Sequence, residues 1–186
     1  MTPASAGLTF TPSTRSVIVG TQDVSGLDFI VTKAATTTTL ASSVNPAVTG
    51  QAVTFTATVN VVAPGSGTPT GTVTFFDGTT ALGTGPFNAA RQATLTTSTL
   101  AVGAHAITAQ YAGDANFTGS ASAALSQVRS FADVPATHPF FTWIEALVNA
   151  RITAGCSTSS PQYRPGAGVT RGRMALFLVR TFNLPM

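Results

Sequence analysis

Residues 53–61, VTFTATVNV, alternate without a break: every odd position is apolar and every even one is Thr or Asn. Successive side chains of an extended chain point to opposite faces, so this segment predicts a strand with one buried and one wet face, and a helix would scatter the same residues around its axis. The pattern returns in His105–Tyr111, HAITAQY, and in shorter form at Val73 with Phe75, Ala93 with Leu95, and Leu40 with Val44. Turn formers separate these runs: NPAVTG at 45–50, APGSGTPTG at 63–71, Asp77-Gly78, and AGDAN at 112–116. Short β-branched strands at regular spacing, with no helical stretch up to about residue 128, predict a mainly β fold built on a sandwich of about seven strands.

The 186 residues suffice for one domain or two small ones. Charge is scarce and uneven. Before residue 131 four basic groups (Arg15, Lys33, Arg91, Arg129) balance four acids (Asp23, Asp28, Asp77, Asp114). From there Arg151, Arg164, Arg171, Arg173 and Arg180 face only Asp133 and Glu145, so the whole formal charge of +3 lies in the last third and points to an acidic partner there. A single lysine and no interleaving of basic and aromatic residues argue against nucleic acid. No apolar run is long enough to insert across a bilayer, and MTPASAGLTF lacks the basic start and apolar centre of a secretion signal. An exported protein carrying this sequence is therefore expected to be longer. Six scattered acids give paired-carboxylate catalysis little to work with, and no cofactor motif is present.

The run TTTTL (36–40), GTPTGTVTFFDG (67–78) and LAVGAHAITAQYAGDANFTGSASA (100–123) resembles the bacterial immunoglobulin-like repeats found in tandem on large secreted and surface proteins. The resemblance spans about residues 36–128 and implies a spacer or adhesive stalk unit. Residues 7–33 hold three candidate strands, Leu8–Thr11, Ser16–Val19 and Leu27–Thr32, similar to the closing strands of a carboxypeptidase-regulatory or adhesin B-type module. Residues 1–35 are thus expected to be an incomplete β module. Three strands bury little, so this part should be poorly stabilised or lean on the sandwich that follows.

After Arg129 the period changes. Thr137 is placed to cap a helix with Phe140, Ile144, Leu147 and Val148 along one stripe, and Thr170 to cap a second with Met174, Phe177, Leu178 and Phe182. Two short helices joined by a Ser-, Pro- and Gly-rich loop, 155–168, barely bury a core, so residues 129–186 should form a helical hairpin that needs a neighbour.

FADVPATHPFFTWIEALVNARITAG followed by QYRPGAGVTRGRMALFLVRTF resembles one S-layer homology repeat. The matching features are Phe131-x-Asp133-Val134, Arg151-Ile152-Thr153-x-Gly155, Tyr163-x-Pro165 and Val169-Thr170-Arg171 with Met174-Ala175-x-Phe177-Leu178. The resemblance implies non-covalent attachment to secondary polysaccharides of the bacterial envelope, often anionic, with the Arg of the Thr-Arg motif holding the acidic sugar. Three features depart from the family. Gly172 and Arg173 stand where Ala and Glu or Gln are common, Pro139 replaces an aromatic, and Arg164 occupies the place of a second cysteine that would otherwise partner Cys156. Wall-binding relatives usually carry three repeats, and one is present here.

With Thr170 as N-cap, Arg171 and Arg173 occupy the first and third helical positions, at the end where the helix dipole is already positive. Each costs roughly 0.3–1 kcal/mol there, and free amides beside two guanidiniums make an anion site. The polysaccharide-binding candidates are therefore Arg171, Thr170 and Arg173, with Trp143 as a sugar-stacking face. The same residues also admit plainer roles: solvated arginines, an Arg171 pair with Asp133 or Glu145, and a Trp143 in the core. Arg180 and Arg151 lie near helix C-termini, where a cation is favourable.

His138, Cys156 and Asp133 lack any sign of an oxyanion site, so structural roles suit them better than nucleophilic catalysis. His105 should be satisfied by a backbone partner. Asp114-Ala-Asn116-Phe-Thr118 partly imitates a calcium loop, yet its twelfth position is Leu125 instead of Glu, so no metal is expected and a hairpin turn is. The chain is thus expected to be a non-catalytic C-terminal region of a bacterial surface protein that binds acidic cell-wall polysaccharide. Two alternatives remain at this stage: the accessory tail of an extracellular hydrolase, and a structural unit that associates with other such repeats or with copies of itself and binds no sugar.

Overall fold

The structure is a computed structural model, and it describes residues 7–11, 14, 30–155, 162–168 and 181. Its strands are β1 (Leu8–Thr11), β2 (Ile30–Lys33), β3 (Thr36–Ser42), β4 (Ala47–Val48), β5 (Val53–Val61), β6 (Thr72–Asp77), β7 (Thr80–Pro86), β8 (Gln92–Thr97), β9 (Gly103–Gly113), β10 (Thr118–Ala121) and β11 (Leu125–Ser130), followed by helix α1 (Phe141–Asn149). One sheet has the order β4-β11-β9-β6-β7 with β10 also paired to β9, a second has the order β3-β5-β8, and β1 pairs β2 alone. This is a mainly β chain with one short helix among the described residues, as an Ig-like β-sandwich requires.

Between residues 36 and 130 lie nine strands, against the seven expected. The surplus comes from two extended runs that are each interrupted. Ser43–Pro46 separates β3 from β4 and passes the chain from the three-stranded to the six-stranded sheet, and Ser122–Ala124 separates β10 from β11.

The chain clusters into two compact units, Met1–Ala41 with Phe55–Leu95 and Ile107–Ala124, and Ser42–Thr54 with Thr96–Ala106 and Leu125–Met186. In the first, the alternation becomes a core: Phe55, Ala57 and Val59 of β5, Val73 and Phe75 of β6, Ala93 of β8, and Ile107, Ala109 and Tyr111 of β9 are all buried. β6 pairs antiparallel with both β7 and β9, from Val73 opposite Gly85 and Tyr111 to Asp77 opposite Thr80 and Ile107. The inward positions of β3 are threonines. Thr36 and Thr38 are buried and bond the Ser120 hydroxyl at 2.8 and 2.7 Å, so each polar atom taken from water gains a partner.

The same unit holds the β1-β2 ribbon, with Leu8 opposite Lys33 and Thr11 opposite Ile30. As expected of so small a piece, it leans on the domain after it. The Gly7 amide bonds the Ser66 carbonyl, and the amide of the fully buried Ala34 bonds the carbonyls of Gly7 and Asn116. Gly7 has φ +75°, and a Cβ there would stand 2.6 Å from that of Asn116, so only glycine fits. Ser16–Val19 and most of the loop between the two strands lie outside the described residues.

At the hairpin end of β9, Asp114 organises the turn. Its carboxylate accepts the amides of Thr70, Asn116 and Phe117 and the Thr70 hydroxyl, all at 2.8–2.9 Å. Burial alone would raise its pKa, and these donors outweigh burial to hold it at about 2. Burial, then the neighbouring Asp114, push the Tyr111 phenol up to about 12.

In the second unit β4 and β11 run parallel, with Ala47 opposite Arg129 and Val48 opposite Ser130. Phe131, Val134, Ile144 and Val148 form a separate small core, flanked by Val102, Phe141 and Tyr163.

Candidate functional site

The helical part of the second unit is assembled around Phe131. Its ring is 5.6 Å from that of Tyr163 and rests against Gly155, where a Cβ would come within 2.5 Å of the ring and where φ is +89°. The Asp133 carboxylate accepts the amides of Tyr163 at 2.9 Å and Arg164 at 2.6 Å, closing the loop that begins after Gly155. Asp133 is therefore engaged with backbone.

Helix α1 starts later than the sequence suggests. Its N-cap is Phe140, with no side-chain cap bond, and Thr137 lies in a preceding turn where the His138 amide bonds the Pro135 carbonyl at 2.8 Å. Pro139 explains the shift: it disfavours helical geometry at His138 and offers no amide of its own. At the far end the amides of Arg151 and Ile152 return to the carbonyls of Val148 and Leu147 at 2.8 and 2.9 Å, with Arg151 in the left-handed region at φ 57°. This 6→1 and 5→2 pair closes the helix at the position where glycine is the usual choice.

The late start rotates the pattern. Ile144 and Val148 face inward as expected, Leu147 is half-buried, and Phe140 is 61% exposed instead of joining the stripe. Trp143, one step before Ile144, is 72% exposed, so it lies on the surface and outside the core. Phe140 and Trp143, three residues apart, share one side of the helix start, and the His138 ring stands 5.9 Å from that of Phe140. Asn149 ties the helix to β9, its side-chain Oδ1 accepting the Ala104 amide at 2.9 Å.

The inward side holds a group that periodicity missed. Glu145 is buried, neither carboxylate oxygen has a partner among the described residues, and burial pushes its pKa up. Arg129 of β11 is fully buried as well: Nη2 donates to the Ser98 carbonyl at 2.7 Å, while Nε and Nη1 have no partner among the described residues. Both residues are preceded by unremarkable strand or helix patterns, and only their chemical type at an inward position signals them.

Of the polysaccharide candidates, Trp143 is described and exposed. Thr170, Arg171 and Arg173, with Cys156 and the whole second helical stripe Met174 to Phe182, lie outside the described residues. His105 has its ring Nε2 2.8 Å from the Ala101 carbonyl, the backbone partner expected of it. Asp114, the start of the calcium-like sequence, is the centre of a turn with its oxygens filled by amides and a hydroxyl. No helix among the described residues is long and apolar enough to cross a membrane.

Comparison with curated proteins and with solved structures gives no match. Among protein families, the bacterial Ig-like domain (group 3) matches residues 38–128, ending before Phe131 and the helical part. Domains of this kind are often found on bacterial surface proteins and suggest a non-catalytic spacer. The sandwich between residues 38 and 128 is thus similar to the bacterial Ig-like domains of group 3.

Proposed function

We propose that the chain is a non-catalytic region of a bacterial surface protein, in which the Ig-like domain sets distance and the unit from about residue 129 onward attaches to an acidic polysaccharide of the cell envelope. The observation that carries this reading is the exposed aromatic pair Phe140 and Trp143 on a helix start with no acid on its outer side. An exposed indole offers an apolar face to the C–H side of a sugar ring, which a solvated spacer has no need to display. The surplus of arginines in the same third of the chain, Arg171 and Arg173 among them, supplies the charge that an acidic glycan requires.

Trp143 is the only tryptophan, so it reports on its own occupancy. Titration of the chain with acidic wall polysaccharide is expected to change the Trp143 emission saturably, and the change should weaken as salt is raised. Emission that does not respond at low salt, under conditions where the chain is folded, contradicts sugar stacking at this residue. The same aromatic pair favours a second reading, association between copies; an emission change that depends on protein concentration and not on glycan would select it.

A further inference from the structure

A cavity of about 300 Å³ opens beside the small core of the second unit, lined by Ala101, Val102, Val148, Arg151, Thr153 and Ala154. Its two sides are tied together. Asn149 Oδ1 accepts the Ala104 amide at 2.9 Å, and a Cβ on Gly103 would stand 3.7 Å from Val148 Cγ1, so the turn leading into β9 lies against the last turn of α1. Walls held in this way need little rearrangement to receive a ligand.

The lining is aliphatic apart from one hydroxyl and one cation, and it contains no acid. Arg151 is exposed, and its guanidinium has no hydrogen bond or ion pair to a described residue. Its backbone stands at φ 57°, the helix-closing geometry that glycine adopts without strain, so a long side chain is kept where any side chain is disfavoured. An outlier of this sort points to a use for the side chain. Thr153, 7% exposed, accepts the Gly155 amide at 3.2 Å, and its own hydroxyl hydrogen has no acceptor among the described residues.

These groups select a chemistry. A guanidinium holds a carboxylate through two parallel bonds, and the Thr153 hydroxyl is a further donor. The aliphatic walls call for a body with no other polar group, because sugar hydroxyls or a peptide amide would lose water there and find no partner. A bare inorganic anion would gain nothing from the walls. The volume lies at the lower end of what small-ligand sites enclose, which suits a few carbons beyond the carboxylate.

We propose that this cavity is a binding site for a free short-chain aliphatic carboxylate, with Arg151 holding the acid, Thr153 donating to it, and Ala101, Val102, Val148 and Ala154 enclosing the hydrocarbon. Neither Phe140 nor Trp143 lines it, so the site does not depend on attachment to polysaccharide.

The test is NMR titration of the isotope-labelled full chain with isovalerate. Saturable shifts are expected at the amides of Ala101, Val102, Thr153 and Ala154. Isovaleramide keeps the shape without the charge, and acetate keeps the charge without the body; each is expected to bind at least about tenfold more weakly. Arg151→Gly is expected to weaken isovalerate binding at least about tenfold while melting close to wild type, since φ 57° suits glycine. Ala101→Leu, which fills the cavity and keeps the cation, is expected to weaken it as well. No saturable shift at these amides, equal binding of isovalerate and isovaleramide, or unchanged affinity in Arg151→Gly overturns the proposal. Tighter binding of N-acetyl-glycyl-valine than of isovalerate would give the site to peptide chain ends and overturn the assignment to a free acid. The ligand controls use the unaltered chain, so they decide the case even where a variant fails to fold.

Discussion

Glu145 and Trp143 reverse the usual placement of their residue types: the acid of α1 is buried and its indole is exposed. The buried carboxyl makes stability depend on pH with a definite sign. Burial raises the folded pKa of Glu145 above its unfolded value, so the native state holds the proton more tightly; its contribution is fully present below about pH 4 and is lost as pH rises through the folded value. Replacement by an apolar residue of similar shape, Glu145→Met, is expected to stabilise the chain by about 1 kcal/mol or more at pH 7 and to leave it little changed at pH 4, as read by urea unfolding at both. Neither residue's placement was legible in the sequence. The stripe Ile144 and Val148 was, but Trp143 and Glu145 flank Ile144 on opposite sides, and the position of the helix start decides which of them turns inward. That start depends on Pro139, a local effect that a count of apolar spacings does not contain.

Among the elements, the strands were readable because alternation and burial are the same property seen twice: Val53, Phe55, Ala57 and Val59 are all fully buried and the residues between them are not. The breaks between β3 and β4 and between β10 and β11 were not readable, since they depend on which sheet each half joins. The hairpin turn at Asp114 was expected, yet the bonds from Thr70 were not, because a partner 44 positions away leaves no mark in local spacing. Asp114 also fixes an acid limit. Its folded pKa of about 2 lies below the ordinary 3.8, so its contribution is present above about pH 4 and is lost as pH falls toward 2. Asp114→Ala is expected to cost about 2 kcal/mol at pH 7 by leaving three amides and a hydroxyl without their acceptor, and the gap from wild type should close in acid. An unchanged urea midpoint at pH 7 would show that the turn holds without its carboxylate.

On the scale of the whole molecule, the parts fit the task of a tether. The Ig-like sandwich pairs β4 in parallel with its last strand, β11, and the following helical part displays aromatic surface and carries the excess of arginine. The composition suggests an acidic partner at this end, and the sequence resemblance implies that it is a polysaccharide; Arg171, Thr170 and Arg173, on which that proposal most depends, lie outside the described residues. The most direct measurement is co-sedimentation of the full chain with purified wall sacculi, before and after their polysaccharide is removed, together with Arg171→Ala and Trp143→Ala. The account predicts that wild type pellets only with polysaccharide-bearing sacculi at low salt and that both variants stay largely in the supernatant. A wild-type chain that remains soluble with intact sacculi, or that pellets equally with stripped ones, contradicts it.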